Sequence, residues 1–278
     1  MIERLATVSV LPARAVHVWT AHPKDFRDGQ WFELASWLDA SELLCSFRFS
    51  SEADRRAYIL AHALRRLALS AVLAVPPAEL VFSSEASGQP VLVNPPGELK
   101  IHFSHSRSRT MVACAVTCIG PVGIDVEVLD TGNADMSLLG RFMVLPDAQP
   151  CQAGLAVERA RQFFFYWTVL EAYWKAKGCG LSFANPAITC QKNRTGWFDL
   201  SLLAGTAWLA CGQALALQSP ADCAATLVLD ASCFKAGSGN VEVVCHPATF
   251  FHDGSRSLKP QMAQHTQCSL KADVFLNV

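Results

Sequence analysis

Val122-Gly123-Ile124-Asp125-Val126-Glu127-Val128-Leu129 decides how this chain is read. Apolar and acidic residues alternate, the period-two pattern of a half-buried strand. Side chains at i and i+2 of a strand share a face, so Asp125 and Glu127 project together while Ile124, Val126 and Val128 face the other way. Two carboxylates at that spacing repel, and a cation or an amine is the natural remedy. Alone, an Asp-x-Glu pair is most often a solvated face. Here it sits in an apolar segment of a chain with only 17% charged residues, where acids need partners.

Downstream, Arg161 to Lys177 contains neither Gly nor Pro and is rich in helix formers, with Gly178 and Gly180 as stop signals. Phe164, Trp167, Leu170 and Trp174 keep 3–4 spacing and are expected to face the core. Glu171 and Lys175 fall one turn apart on one face, a pair worth only about 0.3–0.5 kcal/mol on an ordinary surface helix. Together the strand and the helix can bring three carboxylates and one ammonium to a single site. That equipment suits a divalent metal and a pyrophosphate.

These residues resemble a known family. Gly-Ile-Asp-Val-Glu, followed by Phe-Tyr-Trp-Thr-x-x-Glu-Ala-x-x-Lys-x-x-Gly-x-Gly-Leu-Ser, is similar to the two signatures of 4′-phosphopantetheinyl transferases of the surfactin-synthetase-activating (Sfp) type. The 46 positions from Asp125 to Glu171 also fit. Upstream, His102-Phe103-Ser104-His105-Ser106 resembles the family's Phe-x-x-Ser-His-Ser segment. Asp54 to Arg65 resembles its basic N-terminal helix, and Ser87-Gly88-Gln89-Pro90 stands where relatives have Gly-Lys-Pro. The ordered set spans roughly residues 45–185.

The resemblance implies transfer of the phosphopantetheine arm of coenzyme A to a serine of an apo acyl or peptidyl carrier protein, releasing adenosine 3′,5′-bisphosphate. It implies Mg²⁺ held by Asp125, Glu127 and Glu171, which suits the oxygen preference of that ion. Glu171 is also the candidate base for the carrier serine. Lys175 would bind the pyrophosphate as a point charge. Ser104 and His105 would contact the 3′-phosphate, and Arg56 the nucleotide end. Two departures remove positive charge: Leu170 stands where many relatives have lysine, and Gln89 replaces the lysine before proline. They keep a second reading open, a catalytically silent relative that binds coenzyme A or a carrier protein. A third, a metal-dependent pyrophosphate hydrolase, usually needs more clustered acids and histidines than these segments offer.

The implied fold is α+β, a pseudo-twofold pair of similar lobes with helices packed on antiparallel sheets, the active site lying between them. The expected division is an N-terminal lobe over 1–119, a C-terminal lobe with the metal site over 120–232, and a partly irregular extension over 233–278. The expected helices are Leu34–Leu44, Ser51–Val75, 134–145 and 156–177. Strands are expected at Val8–Trp19, Leu80–Phe82, Pro90–Val93, Ile101–Phe103, Met111–Thr117 and 122–129. Others are expected near 187–191, 197–202, 207–209, 213–217, 224–230 and Val241–Cys245, the last followed by a mobile tail.

The 278 residues are 51% hydrophobic, enough for a sizeable core. No apolar run reaches the roughly 18 residues of a membrane span, and the N-terminus lacks the apolar stretch of a signal peptide. A cytoplasmic protein is expected, and the family resemblance implies a monomer. The formal net charge of −1 argues against a nucleic-acid or anionic-membrane partner. The 11 cysteines are scattered without any Cys-x-x-Cys, so they read as small buried hydrophobes rather than as a zinc site.

Overall fold

Ala15-Val-His-Val-Trp-Thr-Ala21 is buried along almost its whole length, as a strand is when both faces of its sheet are covered. In the computed structural model, which describes residues 14–84, 88–93, 100–145, 156–234, 241–252, 258–262 and 266–269, this is β1. The chain forms two units, Met1–Ile119 with Asn240–Leu270, and Gly120–Gly239.

In the first unit, β1 pairs antiparallel with β5 (Val112–Thr117), which pairs with β4 (His102–Arg107). On its other edge β1 runs parallel to β12 (Glu242–His252), which carries β13 (Leu258–Met262) and β14 (Thr266–Ser269). A hairpin of β2 (Phe82–Ser84) and β3 (Pro90–Leu92) stands apart from this sheet. The stretch from Val241, expected to give one strand and a tail, thus supplies three strands to the first unit's sheet. The expected strand residues before Ala15 lie outside the described residues, except Arg14, which is in a turn.

Helix α3 (Glu52–Leu73) lies on β5, β4 and β1. Ser51 caps it, accepting from the Asp54 amide, and it ends at Ala74 in the left-handed region just before Pro76 and Pro77. Its Leu60, Leu64 and Leu67 pack with Trp19, Leu34, Phe103 and Val116 in the unit's core.

The single helix expected over Leu34–Leu44 is two, α1 (Asp28–Ser36) and α2 (Ala40–Ser46). Asp39 breaks the run. Its carboxylate accepts from the Glu42 amide at 2.9 Å, and Glu42 Oε2 accepts from the Asp39 amide at 2.9 Å, a reciprocal capping box that starts a new helix.

Glu42 then anchors a buried ion cluster. Arg66, 1% exposed, donates to Glu42 Oε2 through Nε at 2.9 Å and Nη2 at 2.6 Å, and to the carbonyls of Pro77 and Leu80. Arg65 and His62 bond Glu42 Oε1. Burial pushes the Glu42 carboxyl up, but His62, Arg65, the Asp39 amide and Arg66 outweigh it and hold it at about 2. Its contribution is therefore complete above its ordinary value near 4.5 and is lost as pH falls from there through about 2. Glu42→Gln leaves two buried guanidiniums undercompensated and is expected to cost about 3–5 kcal/mol. Urea unfolding at pH 7 checks this, and the difference from the parent should shrink below pH 4.

In the second unit the sheet runs β6 (Val122–Val128), β11 (Cys223–Asp230), β10 (Ala207–Ala216), β9 (Phe198–Ala204), β8 (Ile188–Lys192) and β7 (Met143–Val144), antiparallel except for β7 with β8. The two strands expected over 207–217 are one, β10, whose register shifts between Ala210 and Gly212. That bulge breaks the alternation and makes one strand read as two. The helix expected over 134–145 shrinks to α4 (Met136–Leu139), after which the chain turns into β7. Helix α5 (Ala156–Ala176) packs on β6 and β11, with Phe164, Leu170 and Trp174 buried and Trp167 at the core's margin. Both units therefore set one long helix against a largely antiparallel sheet, the expected α+β plan.

Candidate active site

The site in the second unit is built by a close approach. Gly123, Asp125 and Glu127 share one face of β6, and that face meets α5. A Cβ at Gly123 would stand 1.8 Å from the carbonyl oxygen of Ala172 and 2.9 Å from the amide nitrogen of Ala176. Only a residue without a side chain lets the helix backbone lie there. The contact seats the Glu171–Lys175 turn against the acidic strand. A second tie lies alongside: Thr168 and Thr226 share a 2.8 Å hydroxyl bond, and Thr226 is the cross-strand partner of Asp125.

Asp125 is 3% exposed. Lys175 Nζ donates to its Oδ1 at 2.6 Å and to the Ile124 carbonyl at 3.4 Å. Glu127 is half-buried beside them. Burial raises its carboxyl, the charge of Asp125 raises it further, Lys175 opposes and Glu171 adds, leaving it at about 7. Burial and Asp125 likewise raise Glu171, against Lys175. Asp125 thus weighs on both glutamates, and Glu171 on Glu127. With all three ionised, three carboxylates and one ammonium sum to −2.

A raised carboxyl reverses the sign met at Glu42. The ionised form is penalised in the folded state above about 7, and the penalty is relieved as pH falls toward 4.5. The melting temperature without divalent cation is expected to rise between pH 8 and pH 5. In Glu127→Gln that rise should be blunted, which calorimetry at fixed ionic strength can read.

Three carboxylates, with a charge of −2 once the Lys175 ammonium is counted, fit a divalent cation in chemistry and in charge. Among the described residues, however, no three His, Cys, Asp or Glu side chains are already gathered to grip an ion. The cation against Asp125 is the Lys175 ammonium.

Ser104, His105 and Arg56 belong to the first unit. The Ser-His-Ser segment, expected between two strands, lies inside β4. Successive strand residues face opposite sides, so Ser104, 6% exposed, and His105 point apart. His105 faces a cavity of about 310 Å³ lined also by Glu42, Cys45, Tyr58, His62 and Arg65. Arg56 lies on the exposed first turns of α3, where it pairs with Glu52 at 2.8 Å and Asp28 at 2.9 Å and covers the Trp31 ring.

Leu170 is fully buried in the second unit's core. The apolar residue there packs the core and takes no charge from the acidic face. Sequence reasoning missed Tyr58, His62 and Glu42 at the cavity. Two signals were present, the Asp39-x-x-Glu42 capping box and the i,i+4 spacing of Tyr58 and His62.

Comparison with known proteins places the same residues in context. Residues 121–226, from just before β6 into β11, match the model of the 4′-phosphopantetheinyl transferase superfamily. The chain is 33% identical over 168 residues to the 4′-phosphopantetheinyl transferase HetI of Nostoc sp., covering 60% of this chain and 70% of that protein. It is 30% identical over 155 residues to the 4′-phosphopantetheinyl transferase psf-1 of Bacillus pumilus, covering 56% of this chain and 64% of the relative. With Sfp of Bacillus subtilis it shares 25% identity over 155 residues, covering 56% and 66%.

Proposed function

The chain belongs to the 4′-phosphopantetheinyl transferase superfamily, a family of transferase enzymes, and from that premise we propose that it moves the 4′-phosphopantetheine arm of coenzyme A onto a serine of an apo acyl or peptidyl carrier protein. The serine oxygen bonds to the phosphorus bearing the arm. The bond from that phosphorus to the bridging oxygen breaks, and adenosine 3′,5′-bisphosphate leaves. One observation carries the reading: Asp125 and Glu127 share a strand face with Gly123, where α5 makes a backbone-close approach and delivers Glu171 and Lys175.

On this reading Asp125, Glu127 and Glu171 hold Mg²⁺, which when bound supplies Lewis-acid stabilisation of charge on the pyrophosphate. Lys175 exchanges part of its contact with Asp125 for a phosphate oxygen. Glu171, already raised by burial and by Asp125, accepts the serine proton. His105 meets the 3′-phosphate, Ser104 on the opposite face of β4 supports the strand, and Arg56 reaches the nucleotide end by giving up Asp28. The enzyme is of the Sfp type, acting as a cytoplasmic monomer.

Chromatography of nucleotide products tests the proposal. Adenosine 3′,5′-bisphosphate should form only when coenzyme A, Mg²⁺ and apo carrier protein are all present. Its release without a carrier would favour a pyrophosphate hydrolase instead.

A further inference from the structure

The hydroxyl bond between Thr168 and Thr226 has a direction. Thr168 Oγ1 lies 2.9 Å from the carbonyl oxygen of Phe165, which can only accept, so the single Thr168 proton goes there. The 2.8 Å contact between the two hydroxyls is then filled by the Thr226 proton. A chain of two bonds thus runs from the sheet into the helix backbone: Thr226 donates to Thr168, and Thr168 donates to the Phe165 carbonyl. Both threonines are fully buried.

The chain lies where it bears on the acids. Thr226 on β11 stands opposite Asp125 on β6, so Thr168 is level with Asp125. Ala172 and Ala176 lie on Gly123, two residues back along that strand. Thr168, Ala172 and Ala176, four apart, are the seam of α5 on the sheet. Glu171 and Lys175 flank it: Lys175 bonds Asp125, and the Asp125 charge acts on Glu171. Gly123 lets the helix come close, but it does not fix how far α5 stands along its own axis. Neither do the apolar neighbours Val169, Leu170 and Val228, because apolar packing is non-directional. The lysine ties of α5, Lys175 to Asp125 and Lys177 to Asp230, run through long flexible side chains that can follow a shift. Two short, branched threonines cannot.

We propose that Thr168 and Thr226 are positioning residues of the metal site: their hydroxyl chain fixes the register of α5 on the sheet, and so holds the Glu171 carboxylate where it can share a divalent cation with Asp125 and Glu127. Magnesium takes oxygen at about 2.0–2.1 Å in a near-ideal octahedron, so a slide of even about 1 Å, less than the 1.5 Å rise of one helical residue, costs the site a ligand. The inference rests on the metal reading above and adds to it the residues that set affinity for the ion.

Titration of the full chain with Mn²⁺, an ion of similar oxygen preference, tests this without turnover. Free Mn²⁺ is read by electron paramagnetic resonance, with coenzyme A in excess and no carrier protein, and urea melts of the same preparations report stability. Three proteins are compared: the parent, the double variant Thr168→Val/Thr226→Val, and Thr226→Ser. Valine keeps the shape of threonine and removes both hydroxyls together, so the double variant should unfold near the parent midpoint. It should nevertheless bind Mn²⁺ about tenfold more weakly, the scale of one buried hydrogen bond. Thr226→Ser keeps the hydroxyl and loses a buried methyl group. It should unfold earlier than the parent and bind Mn²⁺ as the parent does. If the double variant fails to fold, Thr226→Val, which leaves Thr168 its carbonyl acceptor, takes its place with the same expected loss of Mn²⁺ affinity. Affinity that follows stability instead, weakened in Thr226→Ser and kept without the hydroxyls, assigns the pair to folding alone and overturns the proposal while leaving the metal reading intact. A parent that takes up no Mn²⁺ overturns the metal reading of the three acids, and the positioning role with it.

Discussion

Glu171→Gln is expected to lower kcat by at least about 10³-fold while making the protein harder, not easier, to unfold at pH 8 without divalent cation. On the proposed reading, the first half follows from losing one of three charged oxygen donors and the serine base together. Several kcal/mol of charge stabilisation is at stake, and each 1.4 kcal/mol is about tenfold in rate. The second half follows from the site's own electrostatics. Burial and the Asp125 charge already raise the Glu171 carboxyl above its ordinary value, so its ionised form is penalised in the folded state. A neutral amide of the same shape removes that penalty. A residue kept for packing would give the opposite pattern, a less stable protein with activity lost only in proportion to unfolding. Steady-state transfer kinetics and a chemical melt on the same preparation read both halves. A loss of less than tenfold in kcat would remove Glu171 from the chemistry.

Gly123→Ala should be the most damaging single methyl group in the second unit, destabilising by at least about 3 kcal/mol. The new Cβ would stand 1.8 Å from the Ala172 carbonyl oxygen and 2.7 Å from its carbon. Those are backbone atoms of α5, so no rotamer change can relieve the overlap. The helix itself has to lift, and it carries Glu171 and Lys175 with it. Stability and activity should therefore fall together. Gly29→Ala, in α1 with nothing within 4 Å of the added carbon, is the matched control and should be neutral or mildly stabilising. Urea midpoints of the two variants make the comparison, and a Gly123→Ala midpoint at the parent value would mean that α5 does not lie where it is described.

The acidic strand and the long helix were legible because their signals are local and periodic. Alternation over Val122–Val128 gave the shared face of Asp125 and Glu127, and the unbroken run to Lys177 gave α5. The contact that joins them was not legible in the same way. Gly123 is one glycine in a motif, and only the packed structure shows that its missing Cβ admits a helix backbone. The ion cluster at Glu42 was hidden for a different reason: Arg65 and Arg66 read as a basic helix face until a carboxylate from another helix neutralises them. Ser104 and His105 read as neighbours with one task, yet a strand sends them to opposite faces. Leu170 read as a lost charge, and the core explains it. Val241–Cys245 was legible as a strand, but its pairing was not, because its partner, β1, lies more than 200 residues earlier in the chain. Pairing at that distance leaves no local pattern.

The most direct test of the central claim is the intact mass of an apo carrier protein after incubation with coenzyme A, Mg²⁺ and this enzyme, beside Glu171→Gln and an EDTA control. The account predicts a gain of one phosphopantetheine arm per carrier with the parent protein and none with either control. No gain across acyl and peptidyl carriers, from a protein that still binds coenzyme A, would contradict it and identify the chain as a binding relative without transferase chemistry.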